Sequence, residues 1–202
     1  MRLATRSKTL LRLAVMGAVV AVAVTGCSTS DSLAEQYGNG TTKNYISGDG
    51  AVTEIKPADR SKSIEFSTTT STGTKISRNE FQGKVVVLNF WYAACPPCRV
   101  EAPALETLSK KYQSKGVQFI GVNVRDETDT ATAFERNFHI TYPTIIDATN
   151  ATVQLALAGS RGPNATPTTI VLDQKGRVAA RVLGEVNESV LDTLVSDTVA
   201  GK

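Results

Sequence analysis

Residues 85–101 read VVVLNFWYAACPPCRVE, and this stretch decides the fold. Its first half contains strand-forming residues without polar alternation, which predicts a strand buried on both faces in the middle of a sheet. After the second cysteine, apolar residues recur every three or four positions, which predicts a helix to about residue 115. Cys95 and Cys98 therefore lie where a buried strand gives way to a helix.

This position favours reactive cysteines. A thiol at the start of a helix faces unpaired N–H groups and the positive end of the helix dipole, both of which stabilise a thiolate. Such an environment lowers a cysteine pKa from about 8.5 to roughly 3.5–7.5. The spacing also lets the two sulfurs meet without unwinding the helix. The pair therefore predicts thiol–disulfide exchange.

A zinc site is the alternative interpretation of the two cysteines. A structural zinc ion needs four ligands. Beyond Cys95 and Cys98 the sequence offers one histidine, His139, and the distant Cys27. We therefore expect no metal at this motif.

The first 26 residues are typical of a signal peptide. Four basic residues are followed by the apolar run 13–24, which has the length of a signal-peptide core and is too short for a spanning helix of about 20 residues. The run ends in Val-Thr-Gly-Cys, which resembles the bacterial lipobox, where cleavage precedes an acylated cysteine. This predicts a signal peptide over 1–26 and a lipid anchor on Cys27. The alternative is an ordinary secretory signal with Cys27 as a spare thiol.

The remainder divides into a tether and one domain. Residues 27–52 are rich in Ser, Thr, Gly, Asn and Asp, which predicts a flexible tether. Residues 53–202 are then a single domain. Without the four basic residues of the leader, the formal charge of +3 becomes −1, so nothing indicates nucleic-acid binding.

Within the domain, strands and helices alternate and the chain closes on a hairpin and a helix. This order predicts an α/β fold in which helices cover both sides of a mixed sheet. We predict strands at 64–66, 85–92, 117–124, 144–146, 168–172 and 178–183, and helices at 98–115, 130–138, 151–158 and 187–199.

The motifs resemble one known group. Asn89-Phe90-Trp91 before CPPC, then Glu101 and Pro103, are similar to the TlpA/ResA/CcmG group of membrane-tethered extracytoplasmic thioredoxins. Thr166-Pro167 ahead of a strand and the closing hairpin agree with this resemblance, which covers about residues 64–200. It implies a thioredoxin-like fold with an inserted helical segment, 130–158, before the Thr-Pro strand.

The resemblance also implies roles for individual residues. Cys95, at the exposed end of the helix, is the nucleophile, and Cys98 resolves the mixed disulfide. Glu101 is either an exposed surface charge or a proton carrier for the cysteines, a role that Asn89 cannot take because an amide accepts no proton. Further residues are expected to contact substrate: Trp91 as a partly exposed lid, Pro96, Pro97, Thr166 by backbone pairing, and Pro167 through a cis peptide bond.

The implied function is that of a thiol–disulfide oxidoreductase, lipid-anchored on the extracytoplasmic face of a bacterial cell membrane. Its expected substrates are thiols and disulfides of exported proteins, above all apocytochrome c kept reduced for haem attachment. We expect a monomer, a membrane electron donor of the CcdA or DsbD type, and no cofactor beyond a Cys95–Cys98 disulfide. Two alternatives stay open: an oxidase that inserts disulfides into exported proteins, and a non-catalytic thiol-based metal- or haem-delivery partner.

Overall fold

The computed structural model describes residues 46–47, 50–159 and 162–202. The signal peptide, Cys27 and most of the expected tether lie outside the described residues. In the part that is described, none of the helices is long and apolar enough to cross a bilayer.

A seven-stranded mixed sheet forms the centre of the domain, in the order β1-β2-β9-β8-β5-β6-β7. Its strand β5, Val85–Trp91, pairs in parallel with β6 and antiparallel with β8, and it is buried at all seven positions because apolar clusters cover both faces. The prediction of a central buried strand is thus confirmed. The strands of this sheet are β1 Ile46–Ser47, β2 Gly50–Glu54, β5, β6 Val117–Asn123, β7 Thr144–Ile146, β8 Thr168–Leu172 and β9 Val178–Leu183.

Helices lie on both faces of this sheet. Alternate residues of β5 enter two apolar clusters. Val85 and Val87 pack with leucines of the first and last helices given below, and Val86 and Leu88 pack on the opposite face. The α/β thioredoxin-like architecture is confirmed. The helices are α1 Pro96–Gln113, α2 Thr128–Phe138, α3 Thr152–Ala156 and α4 Glu188–Val199, with one short 3₁₀ helix, Arg78–Phe81.

The strand predicted at 64–66 is wrong. Ile64 and Phe66 are buried, but each makes one isolated backbone hydrogen bond: the Ile64 N–H donates to the Gly176 carbonyl, and the Phe66 carbonyl accepts from the Arg78 N–H. The hairpin lies just beyond, where β3, Ser67–Thr69, pairs with β4, Lys75–Ser77. Apolar alternation here reflects burial in the apolar cluster on one face of the sheet and not a ladder of strand pairing.

Several element boundaries also differ from the prediction, among them those of α1, which covers 96–113 and not 98–115. Helix α2 begins two residues before the predicted position 130. Helix α3 is shorter than the predicted 151–158: it begins after Ala151, which takes a left-handed φ of 50°, and ends before its C-cap residue Leu157. The folded domain begins before the predicted boundary at residue 53, since β2 pairs with β9 from Val52 onward.

Candidate active site

The two cysteines of the CPPC motif form a disulfide at the start of α1. Cys95 is the N-cap residue, and its Sγ accepts a hydrogen bond of 3.3 Å from the backbone N–H of Cys98. Pro96 and Pro97 occupy the first helical positions, where a missing N–H costs no hydrogen bond. The same N–H and the helix dipole would stabilise a Cys95 thiolate after reduction.

Both sulfurs are buried in an apolar cluster. Cys95 and Cys98 are only 1% and 2% exposed, and they pack with Trp91, Ala131 and Phe134. The predicted exposed position of Cys95 is therefore wrong for the disulfide form. Pro96 is the exposed residue of the motif, and Pro97 is half-buried.

The predicted lid over the disulfide is also wrong. Trp91 is 5% exposed, and its ring lies 4.3 Å from that of Phe134, centroid to centroid. Phe134 belongs to α2, in the inserted segment, so the insertion covers the tryptophan that the strand alone would leave open. Trp91 is part of the packing around the sulfurs.

Glu101 is a buried carboxyl group behind the cysteines. It is 2% exposed, and it accepts hydrogen bonds from Asn89 Nδ2 at 2.7 Å and from the Val186 N–H at 2.9 Å. Burial raises the pKa of Glu101 to about 7, against the two hydrogen bonds, which lower it. The carboxyl can therefore take up or release a proton near neutral pH, and the surface-charge alternative is excluded.

A small cavity adjoins Cys98. Its volume is about 10 Å³, room for about one water molecule, and its walls include Cys98, Asn89, Trp91, Tyr142 and Thr144. Asn89 thus contacts Glu101 on one side and forms the wall of this cavity on the other. The arrangement places a titrating carboxyl one side chain away from the space beside Cys98.

The Thr166–Pro167 peptide bond is cis, as the resemblance implies. Phe90 of β5 pairs with Thr168 of β8, so continuing this antiparallel register brings the Thr-Pro pair to the end of β5 from which CPPC follows. Thr166 and Tyr92 line one open groove there. The hydrogen bonds among the described residues leave the backbone N–H and C=O of Thr166 unused.

Comparison with known proteins fits this geometry. The sequence model of the Redoxin family matches residues 56–195. The chain belongs to the Redoxin family. Thiol-disulfide oxidoreductase ResA of Bacillus thuringiensis (strain Al Hakam) is 34% identical over 128 residues, 63% of this chain and 70% of that protein.

Two solved structures are similar over most of the domain. A secreted thiol-disulfide isomerase from Corynebacterium glutamicum is 32% identical, with a TM-score of 0.69 over 79% of this chain and 98% of that one. A DsbF homologue from Corynebacterium diphtheriae is 30% identical, with a TM-score of 0.65 over 72% and 92%. With its CXXC disulfide, this member of the Redoxin family is a thiol–disulfide oxidoreductase.

One element of the site was missed in the sequence. Asp126 accepts a hydrogen bond of 2.6 Å from the Ala93 N–H and one of 2.8 Å from Asn123 Nδ2, while Asn123 Oδ1 accepts from the N–H groups of Arg125 and Asp126. The turn after β6 therefore fixes the loop that leads into Cys95. The sequence did offer a signal: Asn123 ends a strand parallel to β5 and Asp126 follows it. The ends of parallel neighbours meet at one edge of the sheet, so these polar side chains could be expected near the end of β5.

Proposed function

We propose that the chain is a membrane-tethered reductant of exported proteins, and that its substrate is a disulfide of apocytochrome c, which it reduces to the two cysteine thiols. The observation that favours a reductant over an oxidant is the burial of both sulfurs among apolar side chains. Burial among apolar side chains disfavours thiolate, and a dithiol whose thiolate is poorly stabilised is a stronger reductant. The N–H of Cys98 and the dipole of α1 act in the opposite sense, and we propose that burial outweighs them.

The proposed reaction proceeds in two exchanges. The Cys95 thiolate attacks a substrate disulfide, which forms a mixed disulfide and releases one substrate thiol after protonation. Cys98 then loses its proton to Glu101 and attacks the Cys95 sulfur. The second substrate thiol leaves, and the Cys95–Cys98 disulfide remains. A membrane donor of the CcdA or DsbD type would restore the dithiol by the same steps in reverse.

The proposed location follows from the leader. Cleavage before Cys27 and acylation of its thiol would hold the domain outside the membrane, on the tether that follows. Replacing Cys27 with alanine should release the protein from the membrane fraction. A variant that stays membrane-bound at unchanged mass would contradict the anchor.

A disulfide-forming role is the second candidate. The similar structures from two Corynebacterium species, a secreted thiol-disulfide isomerase and a DsbF homologue, favour it. The bond changes are the same, but the oxidised chain passes its disulfide to a substrate dithiol.

The redox potential separates the two candidates. We expect equilibration against thiol buffers to give a value near −250 mV, whereas about −130 mV would favour the oxidase. Cys98→Ser should accumulate the mixed disulfide, and Cys95→Ser should abolish exchange. Undiminished exchange by Cys95→Ser overturns the function, as would tight stoichiometric metal binding by a reduced protein that performs no exchange.

A further inference from the structure

An open polar groove adjoins the Thr166 backbone. It has a volume of about 440 Å³, and Tyr92, Arg125, Gln154, Asn164 and Thr166 are among its nine described lining residues. Tyr92 precedes Cys95 by three residues, so the groove lies at the end of β5 from which the CPPC motif follows. A chain that pairs with the Thr166 backbone would contact this groove, since Thr166 is part of its wall.

Arg125 supplies the charge of this groove. Among the described lining residues it is the one that is charged at neutral pH. Its guanidinium carbon lies 4.4 Å from the centroid of the Tyr92 ring. Stacking orders the guanidinium plane and leaves its edge N–H groups to the groove.

The carboxylates near Arg125 do not pair with it. Asp126 is bonded to Ala93 and Asn123, and Glu127, which precedes α2, makes no ion pair within the described residues. Of the groove's amides, Gln154 already donates its Nε2 to Asp147. Within the part of the chain that the structure describes, Arg125 therefore faces the groove without a carboxylate partner.

We propose that this groove is a subsite for an acidic side chain of the substrate polypeptide, located within two residues of its reacting cysteine. The inference rests on the proposed function, because it takes the substrate strand to lie along Thr166. An extended strand rises about 3.3 Å per residue, so a residue two positions from the cysteine lies about 7 Å along the groove. The Arg125 fork matches the geometry of a Glu or Asp carboxylate.

Peptide substrates test the inference directly. Each peptide carries one cysteine capped by a neutral hydroxyethyl disulfide, with Glu, Gln or Lys two residues before or after it. The full chain, reduced beforehand, is oxidised once by the peptide, so the rate measured is a second-order rate constant. For whichever Glu position reacts faster, this constant should be about two to five times that of the Gln peptide, as expected for an exposed ion pair. The Lys peptide should react more slowly than both.

Variants and salt identify the residue responsible. Arg125→Gln should bring the Glu-to-Gln ratio close to one, and Arg125→Lys should keep part of it. Arg136→Gln is the matched control, because it removes the same charge from an exposed position on α2 outside the groove. Raising the ionic strength from about 0.01 M to 1 M, which shortens the Debye length from about 30 to 3 Å, should also remove the preference.

Three results would overturn the inference. They are equal rates for Glu and Gln peptides, a ratio unchanged by Arg125→Gln, and a ratio lost equally in Arg136→Gln. In each of these cases the chain still reduces peptides and the proposed function stands. If the folded chain reduces none of the peptides, the proposed function fails and the subsite fails with it.

Discussion

Glu101 makes the stability of the domain depend on pH. Its pKa rises from 4.5 to about 7 on burial, so between these values the folded state binds more protons than the unfolded state. The free energy of unfolding is then largest below the unfolded pKa and falls as pH rises through the folded one. The full loss between these limits is about 3 kcal/mol.

The variant Glu101→Gln should flatten this pH dependence. Its side chain is neutral at all pH values, so the wild type should lose more unfolding free energy than the variant between about pH 5 and pH 8. Denaturant unfolding of the wild type and the variant, each with the Cys95–Cys98 disulfide formed, gives the unfolding free energy at the two pH values. The other titrating groups are common to both proteins and cancel. Parallel pH profiles would show that Glu101 titrates alike in the folded and unfolded states.

The helix α2 covers Trp91, which packs in the same apolar cluster as the disulfide. Phe134 is 6% exposed and packs on the tryptophan ring. Phe134→Ala should therefore destabilise the domain by about 3–5 kcal/mol, the usual cost of removing a buried aromatic ring. Trp91 is the single tryptophan of the chain, so a red shift of the intrinsic fluorescence would report its exposure to water.

A control for this effect lies on α3. Leu155 is 67% exposed, so Leu155→Ala should change neither the stability nor the emission maximum. If Phe134→Ala leaves the emission where it is, α2 does not shield the tryptophan.

The turn after β6 has its own testable role. Asp126 accepts two hydrogen bonds as a charged group, so Asp126→Ala should cost about 2 kcal/mol of stability and loosen the loop before Cys95. Asp126→Asn keeps one acceptor oxygen, so its stability should lie between those of the wild type and Asp126→Ala. Hydrogen exchange at the Ala93 amide is the local readout. Equal protection in all three proteins would mean that the loop is held by other contacts.

The sequence predicts elements whose signal is local. The strand, the CPPC turn and the helix of residues 85–113 agree with the structure because apolar runs and the proline pair act within the segment. Ile64 and Phe66 show the limit, since alternation reports burial but not which backbone groups bond. Trp91 and Asp126 depend on partners more than 30 residues away, and single-sequence periodicity carries no such information.

At the scale of the whole molecule, the sheet extends further than its composition indicates. Strand β2 contains Gly, Ala and Thr, so residues 50–52 resemble a tether. Yet Val52 is 3% exposed and pairs with Val182 in the main apolar cluster. The local sequence has a weak strand propensity, and pairing with β9 compensates for it, because the edge of β9 presents unpaired backbone N–H and C=O groups.

Truncation tests whether this strand belongs to the folding unit. A protein of residues 55–202 loses the Val52 side chain and the pairing of residues 52–54, so it should be less stable than residues 44–202 by about 3 kcal/mol, mostly from the buried valine. Denaturant unfolding of the two proteins gives the difference. Val52→Ala in the longer protein should lower the unfolding free energy by only part of this difference, because the backbone pairing remains. Equal unfolding free energies for the two lengths would place the start of the cooperative domain after β2, as the composition alone suggests.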